Sequence, residues 1–225
     1  MSINLLPPAK KNQRKITPVS HREAFIFFCG LLVLLVGWLF PIQLVSESRF
    51  AALILLLAFP VLVILFVLKD PVQNFGLQVG KYKTGLALAA GSFVIFSLLN
   101  YFLIFRFNLK EQVLASPGVS PNFWYFLFYE LGAATLMVFS WEFFFRGFLQ
   151  LGLEKKFGIY SLLLGAILSS LIFWKSSWLA LGLRFLMYLA AGFTTLKSRS
   201  VFYSALAIWL ISLALDIMLI KALSG

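Results

Sequence analysis

Apolar residues run along this chain in blocks of about twenty, broken by short polar stretches rich in Lys and Arg. The blocks do not alternate with period two. Nor do they show the narrow apolar stripe of a helix that packs on a soluble core. Each is long enough to cross a hydrocarbon layer of about 30 Å as a helix. The pattern predicts an all-α polytopic transmembrane bundle of about seven spans, near 24–45, 50–68, 84–105, 123–153, 159–177, 178–196 and 201–221. The fourth stretch is too long for one perpendicular crossing. It predicts either a tilted helix or a separate interfacial piece over 121–131 that ends near Gly132. The segment DPVQNFGLQVGKYKTG, 70–85, is too polar to span and is expected at a membrane surface.

Composition agrees. Of 225 residues, 61% are hydrophobic and 12% charged, more apolar surface than a soluble domain can hide. The net charge of +11 sits in loops, not on a basic domain, so nucleic acid is not an expected partner; the lipid bilayer is. With the N-terminus inside, the inner segments carry Lys10, Lys11, Arg14, Lys15, Arg22, Lys69, Lys81, Lys83, Lys155, Lys156, Lys197 and Arg199. The outer ones carry Arg49, Arg106, Lys110 and Lys221, with Lys175 near a boundary. That asymmetry predicts a cytoplasmic N-terminus and an outer C-terminus. Three regions follow: a basic arm over 1–22, N-terminal spans with the surface segment over 23–120, and a helical core over 121–221. The arm carries no cleavable-signal pattern, and a bacterial inner membrane is the expected location. The single cysteine, Cys29, lies in the first apolar run and leaves no disulfide to form within the chain.

Charges at membrane depth are costly and mark function or helix contacts. From the spacing to Lys155 and Lys156, Arg146 lies roughly 13 Å and Glu142 roughly 20 Å inside the layer. They are four residues apart, share a helix face and predict a direct ion pair. Glu130, Lys175, Arg184 and Asp216 fall in the outer third as candidates for interhelical ion pairs, Asp216 with Arg184 first.

EFFFRGFLQ, around Glu142 and Arg146, resembles the first motif of the CPBP family of intramembrane proteases, Glu-Glu-x-x-x-Arg followed by Gly. This family includes the CAAX-processing and bacteriocin-immunity-associated members. LSSLIFWKSSW, 168–178, is similar to the second motif, Phe-x-x-x-His after small residues. AAGFTTLKSRSVFYSALAIWLIS, 190–212, is similar to the family's Gly-containing helix, basic turn and third motif, His-x-x-x-Asn. The resemblance implies a helical core in which a glutamate, helped by histidines and an asparagine, activates water against a membrane-anchored substrate. The departures fall on those groups. Trp141 stands for the first glutamate, Ser177 for the second motif's histidine, Ile208 for the third motif's histidine and Ser212 for its asparagine. The only histidine is His21, ahead of the first span, so the usual zinc ligand set is missing and no cofactor is expected.

The resulting expectation is a catalytically degenerate member. It would bind another membrane protein or membrane-anchored peptide between spans four to seven, with Phe143, Phe144 and Phe145 either lining that groove or simply packing. The alternatives are an active endopeptidase using Glu142, a small transporter, and a seven-span protein unrelated to the family.

Overall fold

A computed structural model describes residues 21–39, 53–107, 123–174 and 176–224. The arm with Lys10, Lys11, Arg14 and Lys15 lies outside the described residues, as do Arg49, Lys110 and Lys175. Among the described residues the chain is helical and holds no strand. The helices are α1 (His21–Leu39), α2 (Ile54–Leu68), α3 (Tyr82–Arg106), α4 (Phe123–Phe157), α5 (Tyr160–Leu171), α6 (Trp178–Ser198) and α7 (Val201–Ser224). Four of them, α3, α4, α6 and α7, are long and apolar enough to cross a membrane. Large apolar side chains point outward, including Phe28, Phe66, Ile95 and Phe128, as a lipid-facing surface requires. The fold and this surface define a helical membrane protein.

α4 resolves the question of the long fourth stretch. It is one unbroken helix of 35 residues, about 52 Å at the α-helical rise, and Gly132 lies inside it. Such a helix exceeds the hydrocarbon thickness and must tilt or project from it. Its first turns, with Phe123, Trp124 and Tyr125 more than half exposed, extend beyond the packed bundle. Its second half is the centre of the molecule. Phe143–Leu151 winds as a wider π-helix, and all nine of its residues are buried. A helix covered on every side must find neighbours on every side. Here α1, α5, α6, α7 and the turn after α2 supply them. Phe143, Phe144 and Phe145 are fully buried in the main core with Ile26, Ile64 and Leu149, so they pack and do not line a groove.

Small residues let the helices close on α4. Ser161, Gly165 and Ser169 recur at four-residue spacing along α5 and are all buried. A Cβ on Gly165 would sit 3.3 Å from the carbonyl oxygen of Phe145, which measures how near the two backbones come. On α3, a Cβ on Gly85 would overlap the ring of Tyr203 on α7.

The polar segment after α2 is docked, not merely laid on a surface. Lys69 and Gly76 take left-handed backbone conformations, with φ of 51° and 86°, and a 3₁₀ turn between them, Val72–Phe75, drives Phe75 inward. Its ring is 1% exposed and stacks 6.2 Å from that of Phe148 on α4. The amide of Val201 donates to the carbonyl of Gly76 at 3.0 Å, and the amide of Lys81 donates to the carbonyl of Ser198 at 2.7 Å. Arg22 pairs with Asp70, and Arg199 with Glu154. The start of α1 and the ends of α2, α4 and α6 therefore meet at one face, together with the starts of α3 and α7.

Candidate functional site

Three polar residues lie one above the next on the buried part of α4: Glu142, Arg146 and Gln150, each 0% exposed. Their four-residue spacing puts them on one helical face. Nε of Arg146 lies 3.6 Å from a carboxylate oxygen of Glu142, an ion pair without a close hydrogen bond. The rest of the guanidinium is held from other helices. One terminal nitrogen donates to the carbonyl of Gly165 at 3.2 Å and to Oγ of Ser169 at 3.3 Å, and the other donates to the same hydroxyl at 3.4 Å. The ring of Tyr188 on α6 lies 5.0 Å from the guanidinium carbon, within cation–π range. One side chain thus ties α4 to α5 and α6. Gln150 adds a second tie to α6 by donating to the carbonyl of Gly192 at 2.8 Å.

The carboxylate of Glu142 is less well served. The hydroxyl of Ser204 on α7 lies near it but donates to the carbonyl of Val201 at 3.0 Å. Neither carboxylate oxygen has a hydrogen bond. An unsatisfied charge of this kind is costly in a low dielectric, which makes the nearby guanidinium indispensable to it.

Of Trp141, Ser177, Ile208 and Ser212, two meet beside this site. Trp141 packs its ring 5.4 Å from Phe173, 4.8 Å from Phe145 and 6.3 Å from Tyr188. Ile208 joins the same cluster from α7, 6% exposed beside Tyr188 and Ala191. Ser177 is elsewhere: it is exposed and caps the start of α6, accepting from the amide of Ala180 at 3.2 Å. Ser212 lies partly buried on α7, between the buried Ile208 and Asp216.

Two contacts involve the outer-third charges. Arg184 lies over the ring of Phe173, 4.0 Å from its centroid. Asp216 sets its carboxyl group beside that of Glu130, joining α7 to α4, with the two residues 1% and 2% exposed. Sequence gives the depth of a charge in a span but not its direction around the helix. Lys175 lies outside the described residues.

The charge spacing and motifs of the sequence do not single out Gln150, Ser169 or Tyr188. Gln150 was findable, because it continues the four-residue register of Glu142 and Arg146. Ser169 was findable as part of the small-residue stripe on α5. Tyr188 gives no local signal.

A shallow apolar groove of about 430 Å³ runs between α4 and α7, lined by Leu131, Leu136, Phe139, Phe202, Leu206 and Trp209 among others. Among the described residues no group of three or more His, Cys, Asp or Glu side chains converges. No family model, curated protein or solved structure matches this chain.

Proposed function

We propose that the chain is a non-catalytic, CPBP-like membrane protein that holds another membrane protein or a membrane-anchored peptide rather than cleaving it. One observation supports this most: the glutamate at the motif position is fully buried, faces its own arginine at 3.6 Å and shares its surroundings with aromatic rings. A general base needs a reachable water and partners that move protons. Here Ser177 is spent as a helix cap, while Trp141 and Ile208 join the cluster around Tyr188, whose ring lies over the Arg146 guanidinium. Arg146 serves as a joint between α4, α5 and α6.

The same reading gives seven crossings, a cytoplasmic N-terminus and a bacterial inner membrane. The basic ends gathered at one face support the orientation. α5 has 12 residues and spans about 18 Å as a helix. Turns over 172–174, with Phe173 and Trp174 donating three residues back, add roughly 6 Å at the 3₁₀ rise.

A second reading, an endopeptidase built on Glu142, draws on the two carboxylate oxygens left without donors. Membrane-wide mapping of new peptide N-termini separates the two. Cells carrying the native chain, Glu142→Gln, or Glu142→Gln with Arg146→Met would be compared. The scaffold predicts no cleavage that depends on Glu142. Cleavage sites lost in a stably folded Glu142→Gln protein would establish the peptidase instead.

A further inference from the structure

Glu130 is 2% exposed, and neither of its carboxyl oxygens meets a hydrogen-bond donor. The donors around it are directed elsewhere. The hydroxyl of Thr135 and the indole N–H of Trp209 both donate to the backbone carbonyl of Glu130, at 2.8 Å and 3.1 Å. What lies beside its carboxyl group is that of Asp216 on α7. The other charged or titratable groups of these elements are Tyr125, Tyr129, Glu142, Arg146, Glu154, Lys155 and Lys156 on α4, and Tyr203 and the exposed Lys221 on α7. Arg106 at the end of α3 is exposed, and Arg184 on α6 is stacked over Phe173. Two buried carboxyl groups in contact do not both ionise, because each repels the other and both lose hydration. An ionised carboxylate without donors at membrane depth gives way to the neutral acid.

We propose that Glu130 binds a proton and donates it to Asp216, so that a carboxylic acid–carboxylate hydrogen bond latches α4 to α7. The latch sits at the outer rim of the apolar groove, between Leu131 and Trp209. It holds whatever else Asp216 contacts, because the proton is carried by Glu130. Loss of that proton leaves a buried carboxylate at Glu130 without a donor and removes its bond to Asp216, which parts the helices at the rim, so the groove opens from the outer side as the proton leaves. The site is a proton-binding site, independent of the role given to Glu142.

Infrared difference spectra of the full chain in lipid nanodiscs read the proton directly. Near neutral pH, native minus Glu130→Gln should show the carbonyl-stretch band of a protonated acid, lost in the variant. With Asp216→Asn the band should remain and move to higher frequency as its acceptor weakens. Glu130→Gln should keep the native Tm, since the amide N–H replaces the acid as donor, and should lose the pH dependence of Tm. Absence of the acid band from that difference spectrum would overturn the proposal. So would a large loss of Tm in Glu130→Gln, which is what an ionised Glu130 bridged by a cation requires.

Discussion

Arg146 carries more of the central packing than its single charge suggests. Its guanidinium meets a carboxylate, a carbonyl, a hydroxyl and an aromatic ring on α4, α5 and α6. Removing any one acceptor leaves buried N–H groups with fewer partners. Ser169→Ala is therefore expected to cost about 1–3 kcal/mol, seen as a lower Tm in nanodiscs, while Ser169→Thr keeps the hydroxyl and most of the stability. Gly192 offers a steric counterpart. A Cβ there would come within 2.7 Å of the Gln150 amide oxygen, whereas one on Gly182 of the same helix meets nothing within 4 Å. Gly192→Ala should lower the Tm and Gly182→Ala should not; equal effects would show that the α4–α6 approach is looser than described. At this scale the sequence was informative about Glu142 and Arg146, whose spacing and depth made a pair the natural expectation. It was silent about Tyr188 and about Glu130 facing Asp216, because azimuth between distant helices is fixed only when the bundle closes.

Helix positions were largely legible. The stretches expected at 84–105, 178–196 and 201–221 correspond to α3, α6 and α7, because hydropathy and length dominate where each residue must satisfy its backbone within its own helix. The segment at 70–85 was legible only as polar. Nothing periodic marks Phe75 as buried; a lone aromatic among polar residues reads as a surface residue until its neighbours are known. Docked, it closes one end of the core against Phe148. Phe75→Ala should cost about 3–5 kcal/mol, the range for an emptied aromatic site, measured as a drop in unfolding midpoint. Gly80 has φ of 57°, and a Cβ there would strike the carbonyl oxygen of Ser198. Gly80→Val should loosen the same segment and expose the α6–α7 turn to protease. Unchanged cleavage of that turn would mean the segment does not clamp it.

For the molecule as a whole, the basic residues Arg22, Lys69, Lys81, Lys155, Lys156, Lys197 and Arg199 fall at helix ends that meet on one face, whereas Arg106 and Lys221 fall at the opposite ends of α3 and α7. The orientation proposal then has a direct check. In a Cys29→Ser background, single cysteines at Lys81, Lys155 and Lys197 should react with a membrane-impermeant reagent from the cytoplasmic side only, and one at Lys221 from the outer side only. Labelling of Lys81 and Lys197 positions from opposite sides would break the topology. What no whole-molecule property revealed in advance was how completely the middle of α4 is enclosed. Outside the stripe of Glu142, Arg146 and Gln150 its faces are apolar in the sequence, and lipid and protein look alike to a hydropathy pattern. The account rests on that enclosed acid and its arginine being structural. The most direct measurement is the thermal stability in nanodiscs of Glu142→Gln, Arg146→Met and the two combined. Each single change should lower stability by about 3–5 kcal/mol, because it strands the other buried charge, and the double change should recover most of the loss. Single variants as stable as the native protein, or a double variant no better than their sum, would contradict it.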